Sequence, residues 1–349
     1  MNQAKAISKT VIERESCLMQ RARDLKKARE NYLHAFFADP LANFLVHKLA
    51  LSPWRTFFYC QIFVVVLYAI RSLLFFRLNY GPPALERFLI DFIYDFTLVP
   101  ATYAYYIWIS SRQGYVTYRL EHESALFARE SNRSFSTKIH AQLNNPWLFR
   151  LAATLSFLLL LLHFVKLKQG AWIWFDAESD YFFFLVFKTP FTWIIPWYMA
   201  AVIFSKQIIF IWHIRTFLKT VKYNLEIIHR DQSAVLKPLS KYLLQFSNYM
   251  LICALGILLL LYRSIHFEYF KSDFLVHLAV ILYLPACYYL FCSPLRPLLI
   301  RIKALADEMC ISLKGQAIFS RLGLTRAMLT GFAFNLFFPV FLFFLICFT

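Results

Sequence analysis

Asp91 and Asp95 stand four residues apart, so on a helix both carboxylates project from one face. They fall within an apolar stretch, where an ionisable side chain is expensive and marks either an ion or proton route or a fastened helix pair. Arg71 lies on the preceding apolar stretch, and the connection between the two is short. At about 1.5 Å of rise per residue, antiparallel packing brings Arg71 and Asp95 to similar depth, with Asp91 nearer the headgroups. The spacing predicts an Arg71–Asp95 ion pair, which either pins two helices or lines an ion-selective vestibule.

Asn335 is the second candidate. It is the only strongly polar side chain between Thr330 and Thr349, in a run dense with phenylalanine. Helical projection places Met328, Asn335, Phe338 and Leu342 near one face. A buried amide seeks partners, either on a neighbouring helix or on its own copies across a symmetry axis. In the second case Asn335, Phe338 and Leu342 line a pore, and apolar rings there gate by dewetting.

The remaining polar residues in apolar stretches point to packing. Lys188 is expected to snorkel outward, and His163 and His277 read as hydrogen-bonded packing residues. The seven cysteines are scattered and form no CxxC pair, which speaks against a disulfide framework or a zinc site. No HExxH, GxSxG, Asp-rich or glycine-rich phosphate motif occurs. The expectation is a protein that is not an enzyme and that needs no cofactor or metal.

These residues need elements to hold them, and composition names the class. The chain is 60% hydrophobic and 16% charged, far from the roughly 45–50% apolar and 25% charged of soluble domains. The sequence predicts an all-α polytopic membrane protein with seven spans: Thr56–Phe76, Phe88–Ser110, Leu148–Val165, Tyr181–Phe204, Leu243–Tyr262, Phe274–Phe291 and Met328–Phe348. With the N-terminus inside, only Arg77, Arg87, Lys166, Lys168, Arg263 and Lys271 of the charged loop cations lie outside. That asymmetry follows the positive-inside rule and places the C-terminus outside. The seven glycines are few for broken transporter helices or GxxxG crossings, and 39 phenylalanines fill the space instead.

Residues 1–55 form a cytoplasmic amphipathic region in which Ala4, Val11, Leu18, Leu25 and Tyr32 recur every seven residues, until Asp39-Pro40 breaks the helix. Residues 56–349 form one membrane domain, with cytoplasmic helical segments at 112–147, 205–241 and 294–327. The net charge of +17 therefore gathers on the inner face. Lys206, Arg215, Lys219 and Lys222 mark a basic cytoplasmic surface suited to anionic lipid, a nucleotide or nucleic-acid signal, or an acidic regulatory protein.

Seven spans, an inner N-terminus and a cytoplasmic helix at Arg296–Arg326 before a last span at Met328–Phe348 resemble the insect odorant and gustatory receptors. Leu345-Ile346-Cys347-Phe348-Thr349 stands where that family carries a Thr-Tyr…Gln-Phe signature. The resemblance implies a homo-oligomeric, tetrameric cation channel whose last span lines the pore. The basic, Phe-rich plan is also similar to bacterial anti-phage membrane effectors of the Hailong type. That likeness implies an inner-membrane channel that depolarises the membrane on a cytoplasmic signal. The alternatives are a transporter or lipid-handling enzyme using Arg71, Asp91 and Asp95, and a scaffold recruiting an acidic partner.

Overall fold

The computed structural model describes residues 39–77, 85–122, 138–168, 184–220, 237–266 and 326–348, with short pieces between 281 and 300. The described residues are helical, and no strand occurs among them. A single turn, α1 (Pro40–Asn43), continues as a π-helical turn, Phe44–Lys48. The long helices follow: α2 (Pro53–Arg77), α3 (Leu85–His122), α4 (Pro146–Lys168), α5 (Ile195–Thr220), α6 (Lys237–His266) and α7 (Arg326–Phe348). A π-helical segment, Phe184–Ile194, leads into α5.

Among the described residues, three stretches are long and apolar enough to cross a membrane: Pro53–Leu73, Lys188–Lys219 and Pro238–Leu259. Met328–Phe343 is a shorter apolar helix. This is consistent with membrane association. The predicted sixth span, Phe274–Phe291, lies mostly outside the described residues, as do the N-terminal heptad seam and most of segment 294–327.

The helix that organises the bundle is the most polar one. α3 packs against α2, α5 and α6, while α4 lies against α5 and α7 against α6. It runs 38 residues, or about 57 Å at 1.5 Å per residue, well beyond the span Phe88–Ser110. Its apolar contribution to the core is Val99, Tyr103, Ile107, Ile109 and Val116, packed with Met199, Ile203, Phe210 and Ile214 of α5 and Leu243 and Phe246 of α6. Such interdigitation fixes which face of α3 turns inward.

Two local features are set by proline and by a strained residue. In the π segment, the carbonyl of Phe191 would look five residues on to Pro196, which has no N–H. Tyr103 supplies the missing donor, its hydroxyl reaching the Phe191 carbonyl at 3.1 Å. At the other place, Ala50 joins the N-terminal turn to α2 with φ of 50°, in the left-handed region where a Cβ is crowded.

Candidate functional site

A row of polar side chains lines the buried face of α3. Asp95, Thr102, Tyr106, Ser110, Gln113 and Thr117 follow one another at spacings of seven, four, four, three and four, the helical repeat that keeps them on a single stripe. All six are buried. From Asp95 to Thr117 the stripe is about 33 Å long at 1.5 Å per residue, comparable with the ~30 Å hydrocarbon core of a bilayer. Partners on α2, α5, α6 and the N-terminal turn complete it, and they fall into three clusters.

Near the N-terminal end of α3, Asp95 meets Lys188 of the π segment at 2.9 Å. Tyr68 of α2 donates its hydroxyl to Asp95 Oδ2 at 2.7 Å and accepts from Lys188 Nζ at 3.2 Å. Arg71 stands over the Tyr68 ring at 5.9 Å. Asp95 thus has Lys188 as an ion-pair partner, a cation that the sequence did not assign to it. Arg71 joins the cluster beside Tyr68, one helical turn along α2. The expectation that Lys188 snorkels outward is overturned, since it is 4% exposed. Its neighbours Asp95 and Tyr68 offer the charge and acceptor that water would otherwise supply. Asp91 lies one turn before Asp95 on α3, and its side chain is outside the described residues.

Midway along the stripe sits Asp39. It caps α1, accepting from the Leu41 N–H at 3.0 Å through Oδ1, with Pro40 at the first helical position. The same oxygen accepts from Tyr198 of α5 at 3.0 Å, and Oδ2 accepts a short hydrogen bond from Tyr106 of α3. Asp39-Pro40, expected only to break a helix, thus brings a carboxylate into the core, fully buried. One turn further along α3, Lys206 of α5 donates to Ser110 Oγ at 3.0 Å and lies 5.4 Å from the Phe149 ring. Lys206 is 1% exposed, which corrects its placement on a basic surface. Its position on α5 faces α3, and the ammonium has only a hydroxyl and an aromatic face as direct contacts among the described residues. Arg215 is half-buried and Lys219 exposed, whereas Lys222 lies outside the described residues.

Next comes an amide pair. Gln113 Nε2 donates to Tyr242 at 3.1 Å and to Gln207 Oε1 at 3.4 Å, and Tyr242 donates a short bond to the same Oε1. Gln113 Oε1 and Gln207 Nε2 are left buried without a partner. One is an acceptor and the other a donor, the pattern that a water molecule or small polar solute satisfies. Beyond them His213 meets Gln142 at 2.6 Å.

Asn335 belongs to a separate, neutral network. Its Nδ2 donates to Ser247 Oγ at 2.8 Å and Asn248 Oδ1 at 2.7 Å on α6, and Tyr283 donates to its backbone carbonyl at 2.6 Å. Both amide hydrogens are consumed inside the chain, so the amide finds its partners on a neighbouring helix, the first of the two alternatives. Phe338 stacks on Phe334 with centroids 4.7 Å apart, and both Phe338 and Leu342 are half-buried. The face of α7 left exposed carries Phe334, Phe337, Phe341 and Leu345.

The sequence carried one overlooked signal. Polar residues of α3 at helical spacing, inside a Tyr-rich stretch, mark a buried stripe as clearly as apolar residues mark a soluble core. Which cations answer it depends on helix pairing, which the sequence does not display. Compared with protein-family models, with curated proteins and with solved structures, the chain matches none, so the function rests on the chemistry of this stripe.

Proposed function

We propose that this is an ion-conducting membrane protein whose route runs through a single chain, along the polar face of α3. The chain would cross the bilayer seven times with its N-terminus inside, and act without enzymatic turnover. The observation that carries this reading is the continuity of the buried polar row from Asp95 to Thr117, matched by Lys188, Lys206 and Gln207 from across the interface. Ionisable groups at such depth face bundle interiors and mark ion or proton pathways. The unfilled donor and acceptor at Gln207 and Gln113 fit a route that carries water. In this reading Arg215 and exposed Lys219, at the end of α5, would receive a signal from the cytoplasmic side.

The test is ion flux in vesicles holding the purified full chain, with Gln113→Leu and Thr117→Val compared with wild type. Both substitutions put apolar groups on the stripe, and flux is expected to fall roughly tenfold or more, as dewetting of a narrow passage would produce. Unchanged flux in folded variants would exclude the α3 route.

A second reading has its own observation. The apolar face of α7, with Phe334, Phe337, Phe341 and Leu345 exposed, fits a homo-oligomeric channel in which copies meet along the last helix. Native mass spectrometry decides it. A closed ring that Phe337→Ser with Phe341→Ser disperses would support it, and a conducting monomer would exclude it.

A further inference from the structure

We infer that Tyr106, Tyr198 and Lys206 form a binding site for a small monovalent anion, a halide or short carboxylate, and that Asp39 occupies it in this state as a tethered anion. The inference deepens the proposed function and rests on it for transport alone; the site itself is a claim about binding.

The donors are on the long helices and the anion comes from elsewhere. Tyr106 of α3 and Tyr198 of α5 both point their hydroxyls at the Asp39 carboxylate. Lys206, two turns beyond Tyr198 on the same helix, feels that carboxylate electrostatically without a direct ion pair to it. Two hydroxyl donors and a buried ammonium make a set that binds negative charge whatever molecule carries it. Without an anion, the ammonium would be left in a dry interior with one hydroxyl and one aromatic ring, which do not replace the hydration it has lost.

The occupant is attached by a short lever. Asp39 begins a segment of one α-turn and one π-turn, held by Ala42 in the core and by Leu41, Leu45 and Val46 against its edge. Its link to α2 passes through Ala50, whose positive φ is a conformation L residues rarely hold. Besides the bonds inside its two helical turns, the segment's ends are tied by Asn43 N to Asp39 O, Leu49 N to Phe44 O and Leu51 N to Leu45 O. Moving this lever withdraws the carboxylate and leaves its donors for a solute anion.

Charge favours an anion over a cation. The buried charged groups among the described residues are Asp39, Asp95, Arg71, Lys188 and Lys206, with His213 in addition. Asp95 is committed to Lys188. Once Asp39 leaves, Lys206 is a buried cation facing the two tyrosine hydroxyls' side of the interface, and among the described residues the one other buried carboxylate, Asp95, is already paired with Lys188.

The probe is chloride, compared with gluconate at equal ionic strength, on the full chain in mild detergent. The Tm of Asp39→Ala is expected to climb with the logarithm of chloride concentration, while wild type, its site filled, shows the same Tm in both salts. Adding Lys206→Met to Asp39→Ala is expected to abolish the response. If Asp39→Ala is recovered only when chloride or formate is present during extraction, that rescue is equally the expected result. Asp39→Asn keeps an acceptor for one tyrosine and is expected to respond less steeply. Should neither Asp39 variant respond to chloride or formate, the site is refuted. Chloride-dependent melting without chloride flux in vesicles would keep the site and refute the transport reading. Flux without chloride-dependent melting would do the reverse.

Discussion

The two charged clusters along α3 solve the same problem in opposite ways. At one, Asp95 and Lys188 touch at 2.9 Å, and Tyr68 bridges both. At the other, Asp39 and Lys206 are each buried at least as deeply, yet the carboxylate turns to two tyrosines and the ammonium to Ser110. A direct pair neutralises itself and leaves little capacity for anything else. A divided pair keeps donors that another ion can use. The contrast teaches that burial alone does not distinguish a fastening from a site; the division of charge between partners does.

The largest effect should come from breaking the direct pair. Removing one partner of a buried ion pair leaves an uncompensated charge and costs about 3–5 kcal/mol. Lys188→Met or Asp95→Asn should each lower stability on that scale in detergent melts. Lys188→Met combined with Asp95→Leu should recover most of the loss, because no charge is then stranded. A double-mutant cycle reads the coupling directly. If the combined variant is as unstable as the sum of the two, the pair is not the fastening described here.

Lys206→Met sharpens the comparison with a smaller effect. It removes a hydrogen bond to Ser110, worth about 1 kcal/mol. It also removes the burden of a desolvated ammonium. The net loss should be about 1 kcal/mol, well below that of Lys188→Met. Equal losses would mean that both clusters are structural pairs and would erase the distinction.

Asn335→Leu gives the neutral reference, since its network holds no charge. Interhelical hydrogen bonds in membrane proteins average about 0.6 kcal/mol with a maximum near 1.7, so two lost bonds to Ser247 and Asn248 should cost about 1 kcal/mol. Subunit number, read by native mass spectrometry, should not change.

Much of this architecture was legible in the sequence, and the limit falls at a definite place. Long apolar runs foretold helices, and Thr56–Phe76, Leu243–Tyr262 and Met328–Phe348 fall within α2, α6 and α7. The depth argument predicted an Arg71–Asp95 ion pair, and the structure sets Arg71 over the Tyr68 ring whose hydroxyl bonds Asp95; rise per residue and a short connection are local quantities that a sequence displays. Lys188 and Lys206 were misplaced for a shared reason. Along a sequence a lysine reads as a surface residue, and only the pairing of helices reveals Asp95 opposite one and Ser110 opposite the other. For Asn335 the amide was marked as seeking partners on a neighbouring helix or on its own copies; its bonds go to a neighbouring helix, but Ser247 and Asn248 lie almost ninety positions away, so the sequence did not name them. Asp39 carried no signal beyond its proline, since the tyrosines that receive it come from two different helices.

The smallest effects test the backbone beside each cluster. Near Asp39, Ala50→Gly should relieve the positive φ and raise stability by about 1 kcal/mol. Near Asp95, Gly256 of α6 approaches α3 closely: an added Cβ would stand 3.0 Å from Leu98 Cδ2 and 3.6 Å from Tyr94 Cε2. Alanine gains about 0.8–1.0 kcal/mol over glycine in a helix interior, which favours Gly256→Ala. Against it, Leu98 must move its methyl group away, and an off-rotamer side chain costs about 0.5–1.5 kcal/mol. The atom in the way is the end of a flexible side chain, not backbone, so the two terms nearly cancel and the melt should shift by only a few tenths of a kcal/mol. A loss near 3 kcal/mol would instead mean that α3 and α6 were forced apart. Lys188 and Asp95 would then depend on the α3–α6 spacing, and the direct pair could not be treated as a fastening of α3 to the π segment alone.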